Sequence, residues 1–178
     1  STFHGFLTSD DCLHTLMIFR QLGVTIEEKG TTLYVHGLGA LGFLPPKEPL
    51  FVGNSGTGIR LITGVLAALP FQTVITGDAS IQSRPMDRIV NPLTSMGAQF
   101  ECENGSPPIT VKGNPNLLSS LTYSMPVASA QVKSAMLLAG VTAGVPVTVI
   151  EPEPCRDHTE RMLQLFGAQV TNEDGVIS

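Results

Sequence analysis

The sequence predicts an α/β chain (α+β in some schemes) built of repeated strand–helix–strand–helix–strand–strand units, with helices inside and small mixed sheets outside. Three observations predict it. Leu22-Gly23-Val24, Met96-Gly97-Ala98-Gln99 and Phe166-Gly167-Ala168-Gln169 each close a helical pattern and open a strand pattern. Gly30, Gly105 and Gly175 then follow seven or eight residues later, where each closing hairpin turns. Recurrence at a fixed period means one supersecondary unit packed against copies of itself. The helical patterns are also of two kinds. Ile59–Leu69 and Val132–Val141 are apolar or small nearly all round, as buried helices are. Those starting near Ser9, Met86 and Asp157 keep a polar face, so they sit nearer water.

The elements follow in order. Ser9 is the expected N-cap of a helix with Asp10 and Asp11 in its first turn; Leu13, Leu16, Met17 and Leu22 recur at helical spacing and Gly23 ends it. Val24–Glu28 and Thr31–His36 read as strands around Lys29-Gly30. Gly37-Leu38-Gly39-Ala40-Leu41-Gly42 matches the dinucleotide fingerprint, but Pro45 and Pro46 follow, so no helix opens there and a loop is expected. A short strand, Leu50-Phe51-Val52, leads through Gly53–Gly58 into the buried helix, which stops at Pro70. Strand Gln72–Thr76, a helix over about Met86–Met96 kinked at Pro92, and the pair Gln99–Glu103 and Ile109–Lys112 complete that unit. Strand Leu117–Tyr123, a small-residue helix to Gly144, strand Val147–Ile150, an amphipathic helix to Gly167 and a last pair from Gln169 make the next. The expected division is the tail of one unit over 1–49, a unit over 50–113 and a unit over 114–178. The strand–helix–strand crossovers should be parallel and the closing pairs antiparallel.

Bulk properties exclude several functions. Of 178 residues 42% are hydrophobic and only 14% charged, which suits a packed core rather than disorder. A net charge of −5 argues against a nucleic-acid surface. The three cysteines, Cys12, Cys102 and Cys155, are far apart, so no disulfide framework or metal site is expected and a reducing cytoplasm is. The longest apolar runs are broken by Gly, Pro and Thr, so no membrane span and no leader are expected. Because the chain begins at Ser1 and ends at Ser178 just inside a strand pattern, it reads as a piece of something longer.

Polar residues collect in the strand-to-helix loops. They are Asn54, Ser55, Thr57 and Arg60, then Ser83 and Arg84, then Ser129, Gln131 and Lys133, then Arg156. In a parallel arrangement these loops share one edge beyond the carboxyl ends of the strands, where ligands bind. Gly53-Asn54-Ser55-Gly56-Thr57-Gly58-Ile59-Arg60 is an anion site in type, with glycines, free N–H groups, a helix start and a permanent cation. It lacks the Lys-Ser/Thr of a P-loop, the third glycine of the dinucleotide motif and the glycine of a nucleophile elbow. Arg60, Arg84, Lys133 and Arg156 are four of ten basic residues, and gathering them would focus potential on an anionic substrate. Singly, each has a plainer reading. Arg60 pairs with a carboxylate, Lys133 lies along the surface, Asp157 and His158 cap a helix, and Arg88 and Arg161 are solvated. His4, His14 and His36 show no partner spacing, and Cys102 is a strand thiol.

Four stretches together carry a resemblance. Asn54-Ser55-Gly56-Thr57, Gly77-Asp78 with Arg84-Pro85-Met86, Pro126–Ser134 and Arg156-Asp157-His158-Thr159-Glu160-Arg161-Met162 resemble, in order and spacing, the signatures of 5-enolpyruvylshikimate-3-phosphate synthases, with Ser-Ala-Gln and Arg-Asp-His-Thr-Glu in the manner of the bacterial class II branch. The resemblance implies most of one domain of a two-domain enzyme, an inside-out α/β barrel of such units. It implies transfer of the enolpyruvyl group of phosphoenolpyruvate to the 5-hydroxyl of shikimate 3-phosphate, with no cofactor and no metal. By the same resemblance Gly56, Arg84 and Gln131 bind phosphoenolpyruvate, and Ser129, Ala130, Gln131 and Arg156 bind shikimate 3-phosphate. Ala130 would contribute only backbone, and Gly56 would leave room for phosphoenolpyruvate or glyphosate. The acid/base carboxylates and the Lys-Ser substrate loop have no counterpart here, so no catalytic residue is assigned and a second domain of the same chain is the implied partner. Cys155 stands where relatives commonly carry Ser or Thr. Two alternatives remain. One is a UDP-N-acetylglucosamine enolpyruvyl transferase-like enzyme, disfavoured because the loop Asp78–Ser83 has no cysteine. The other is a non-catalytic binding or assembly domain.

Overall fold

The computed structural model of the chain describes residues 1–39 and 42–178. Its strands form three small sheets. The first holds β1 (Thr2–Phe3), β2 (Thr25–Lys29) and β3 (Thr32–His36) in the order β1-β3-β2, all antiparallel, with helix α1 (Asp10–Gln21) between its first two strands. The second holds β4 (Leu50–Phe51), β5 (Gln72–Thr76), β6 (Gln99–Cys102) and β7 (Ile109–Lys112) in the order β4-β5-β7-β6. The third holds β8 (Leu121–Ser124), β9 (Val147–Ile150), β10 (Asn172–Glu173) and β11 (Val176–Ile177) in the order β8-β9-β11-β10.

The second and third sheets are mixed in the expected sense. β4 pairs with β5 and β8 with β9 in parallel, and the other pairs are antiparallel. Each parallel pair is joined by a helix, since parallel strands need a crossover. These are α2 (Gly56–Ala67) and α5 (Ala130–Ala143), and they lie against each other in the middle of the chain. Ile59, Leu66, Met136 and Ala139 are fully buried. Each large aliphatic residue removed from water there contributes about 1.5–3 kcal/mol. The two helices approach closely because Gly64 faces the backbone of Ala135, where a side chain would overlap the carbonyl oxygen. Helices inside and sheets outside is thus the observed layering.

The punctuation is chemical. Gly23, Gly97 and Gly167 all have positive φ just past helix ends, the conformation that glycine adopts without steric cost. Some elements differ from expectation. β1 is a strand no local pattern marks, because it forms only by pairing with β3. Strand β8 starts at Leu121, not Leu117. Asn114 accepts a hydrogen bond from the Asn116 amide and Pro115 sets a short 3₁₀ turn over Pro115–Leu117. A one-turn helix α3 (Ala79–Gln82) was not expected; Asp78 caps it by accepting from the Ile81 amide at 3.0 Å. α4 (Asp87–Ser95) runs through Pro92. Ser9 occupies the N-cap of α1 with extended dihedrals but makes no side-chain cap. Of the loop expected over Gly37–Gly42, Ala40 and Leu41 lie outside the described residues; Gly37–Gly39 are in neither helix nor strand. Among the described residues no helix is long and apolar enough to cross a membrane.

Candidate functional site

The loops after β4, β5, β8 and β9 lie side by side because their strands are parallel neighbours. The amide of Asp78 donates to the Gly53 carbonyl at 2.8 Å, and that of Met125 to the Ile150 carbonyl at 3.0 Å. The first loop ends at Ser55, whose hydroxyl caps α2 by accepting from the Gly58 amide at 3.0 Å. That capping starts α2 at Gly56, three residues before the apolar run at Ile59 that the sequence emphasises.

Arg60 is the hinge of the site. Its Nη1 donates to the Gly56 carbonyl at 3.1 Å and to Oε1 of Gln131 at 2.8 Å, and Nε2 of Gln131 donates to the Thr57 hydroxyl at 2.9 Å. Gln131 sits in the first turn of α5, so these bonds join two units across 71 and 74 residues of chain. Arg60 therefore has an amide partner where a carboxylate was expected. The Arg84 guanidinium, following α3, lies directly against the Cα face of Gly56 and reaches the Ser80 hydroxyl at 3.4 Å. Burial, together with the nearby cations Arg84 and Arg88, pulls the Arg60 guanidinium below its ordinary value. Three like charges concentrated at one edge raise the local positive potential, which favours an anion there. Arg88, read from sequence as an exposed solvated position, thus belongs to this field although its side chain is exposed.

Beside this cluster is an open recess of about 420 Å³ lined by Ala128, Ser129, Ala130, Gln131, Pro154, Cys155 and Arg156. Ser129 caps α5 by accepting from the Val132 amide at 3.4 Å. The predicted residues therefore fall in two adjoining groups, Gly56 with Arg84 and Ser129, Ala130 and Arg156 in the recess. Gln131 belongs to both.

Lys133 does not lie along the surface; its side chain is 0% exposed. Its ammonium is 2.7 Å from Oε1 of Glu151, just after β9, and also pairs with Oε1 of Glu160 in α6 (His158–Leu165). Burial alone would lower the Lys133 value, but the hydrogen bonds and charges of Glu151 and Glu160 outweigh it and raise it. Burial would raise Glu151, but Lys133 and the Cys155 amide outweigh that and hold it below the ordinary carboxylate range. The Cys155 thiol is pushed up by burial and then by Glu151. A signal existed in the sequence: a lysine within an otherwise apolar, buried helix must find a buried counter-charge. Asp157 stands at the N-cap of α6, as expected, but makes no side-chain cap; its carboxylate accepts from Arg161 at 2.7 Å on the surface.

The site offers guanidinium groups, amide and hydroxyl donors and two helix starts. Among the described residues no cluster of His, Cys, Asp and Glu could hold a metal. Such an edge, beyond the carboxyl ends of parallel strands, is where ligands bind in α/β proteins, and helix starts there favour anions. The chain belongs to the EPSP synthase (3-phosphoshikimate 1-carboxyvinyltransferase) family, whose model matches residues 1–177. It is 49% identical over 175 residues to a 3-phosphoshikimate 1-carboxyvinyltransferase of Leuconostoc citreum, covering 98% of this chain and 40% of that one. It is 50% identical over 177 residues to another from Xanthomonas campestris pv. campestris, with the same coverage. Its fold matches EPSP synthase from Acinetobacter baumannii with a TM-score of 0.92 and 46% identity, over 99% of this chain and 40% of that chain. The chain thus spans about 40% of the length of these relatives.

Proposed function

We propose that the complete protein containing this chain transfers the enolpyruvyl group of phosphoenolpyruvate to the 5-hydroxyl of shikimate 3-phosphate and releases phosphate. The observation that carries this is Gln131, whose amide is held by Arg60 and Thr57 on one side and lines the Arg156 recess on the other. In this reading Gly56, Arg84 and Gln131 hold phosphoenolpyruvate, and Ser129, Ala130, Gln131 and Arg156 hold shikimate 3-phosphate. Both substrates carry phosphate and carboxylate, so the site works by clamping anions with planar forks and backbone donors. Addition gives a tetrahedral intermediate and elimination follows, with rate supplied by positioning, electrostatic stabilisation and proton transfer. In this reading the proton-transferring carboxylates come from the remaining length, a second domain; Glu151 and Glu160, beneath the recess, are buried against Lys133. Three free cysteines fit a cytoplasmic setting.

The test joins this chain to the remaining sequence of a relative and follows phosphate release. Release should require both substrates, and the chain by itself should give none. Release with UDP-N-acetylglucosamine in place of shikimate 3-phosphate would favour the alternative transferase, and binding without release a non-catalytic domain.

Gly56 makes a sharper prediction. A Cβ there would run into the Arg84 guanidinium and come within 3.3 Å of Nη1 of Arg60. Gly56→Ala therefore displaces the clamp itself, and the KM for phosphoenolpyruvate should rise about tenfold, with glyphosate inhibition weakened at least as much. Equal glyphosate requirement in wild type and variant rejects this.

The same completed chain reports on the buried ion pairs. The folded Glu151 value lies below its ordinary 4.5, so its stabilisation is complete above 4.5 and is lost as pH falls through the folded value. The folded Lys133 value lies above its ordinary 10.5, so its share is complete below 10.5 and is lost only as pH rises through the folded value. The gap in thermal midpoint between wild type and Glu151→Gln should be wide at neutral pH and shrink on acidification below 4.5. A gap that stays constant over that range contradicts it.

A further inference from the structure

We infer that Lys133 is a positioning residue that sets the two walls of the recess against each other, and that Glu151 is its link to the wall formed between β9 and α6. One wall is the Ser129–Gln131 turn, which lies on the same helix only two to four residues before Lys133. The other is the segment between β9 and α6, which carries Pro154, Cys155 and Arg156. The Lys133 ammonium grips that segment at both ends, through Glu151 at its start and Glu160 just past its end. Glu151 is bound by two different donors. Oε1 faces the ammonium at 2.7 Å, and Oε2 accepts from the Cys155 amide at 3.3 Å. A second tie runs alongside, because the Ser134 and Thr159 hydroxyls are 2.6 Å apart. Cys155 and Ser129 line the same recess, one on each wall.

A buried ammonium between two carboxylates is a costly way to join two helices if joining is all it does, since apolar packing holds helices together as well. What the arrangement supplies is direction. An ion pair at one Glu151 oxygen and the Cys155 amide's hydrogen bond at the other hold the segment in one geometry, and Arg156 and the Ser129 turn are the groups that geometry delivers. The trio also matters for the ligand's charge. Lys133 with Glu151 and Glu160 leaves one net negative charge under an anion recess; removing the ammonium would leave two.

The inference rests on the proposed shikimate 3-phosphate reading for its kinetic arm only. The experiment uses the completed chain and two variants, Lys133→Met and Glu151→Gln. Glutamine at 151 has one acceptor oxygen, so it cannot face both the ammonium and the Cys155 amide, while Lys133 and Glu160 still balance each other. Glu151→Gln therefore keeps the test alive if Lys133→Met does not fold. Amide exchange of the 152–157 segment should quicken about tenfold in either folded variant, with exchange in α2 unchanged. The KM for shikimate 3-phosphate should rise about tenfold, with kcat and the KM for phosphoenolpyruvate within about threefold of wild type. Unchanged segment exchange in folded Glu151→Gln overturns the inference. So does quickened exchange spread through α2, or an equal loss in kcat and both KM values, because each marks a merely structural role. If the wild-type chain does not turn over shikimate 3-phosphate but segment exchange responds as expected, the substrate reading fails and the positioning role stands.

Discussion

Gly64→Val is expected to destabilise the chain by at least about 3 kcal/mol, the upper end for overpacking a filled core. Gly64 is buried on α2, and even a methyl group there would overlap the Ala135 carbonyl oxygen and stand 2.9 Å from its carbon and 3.0 Å from its Cα. These are backbone atoms of α5, so no rotamer change relieves the contact; the helices must move apart. Alanine would gain about 1 kcal/mol of helix propensity over glycine, too little to offset the overlap. The loss reaches the site, because Arg60 and Gln131 meet across this same helix pair. Chemical denaturation of the completed chain measures the cost, with Gly37→Ala as control. Nothing lies within 4 Å of that position's added carbon, so its change should stay within about 0.5 kcal/mol. Equal midpoints for the two variants would show that α2 and α5 are not so closely packed.

Arg84→Ala should lower kcat/KM for phosphoenolpyruvate by about a thousandfold in the completed enzyme, roughly 4 kcal/mol of transition-state stabilisation. Its guanidinium is half-buried against Gly56 and, among the described residues, has only the Ser80 hydroxyl, at 3.4 Å, as a side-chain hydrogen-bond partner, so most of its donors are left for a ligand. Arg84→Lys should recover little, because an ammonium cannot present two parallel donors to a carboxylate or phosphate. Arg88→Ala should cost only a few-fold, since that side chain is exposed and acts through a screened field. Comparable losses at Arg84 and Arg88 would mean that charge alone, and not a fixed fork, holds the substrate.

Much of the layering was legible because it is written in local chemistry. Gly23, Gly97 and Gly167 stop helices by adopting positive φ, and the apolar girth of α2 and α5 marks them as central. The loops that gather Gly56, Arg84, Ser129, Gln131 and Arg156 follow from the parallel pairing of β4 with β5 and β8 with β9. Whatever depends on distant partners was not legible. β1 exists because Thr2 and Phe3 find Tyr34 and Leu33. The Arg60–Gln131 bond spans 71 residues, and no spacing rule reaches that far. For Lys133 the apolar helix around it signals burial against the usual solvated lysine, but its partners are out of reach of the sequence, because only the fold brings Glu151 and Glu160 to it.

The capping of α5 has one more consequence. The Ser129 oxygen receives the Val132 N–H, a task that uses a lone pair, and among the described residues the hydroxyl proton has no acceptor. A phosphate arriving in the recess can therefore take that proton as its own hydrogen bond while the helix stays capped. Occupancy and helix integrity do not compete for this oxygen, and aspartate, which also caps well, could not serve both because it would meet the phosphate with a second negative charge.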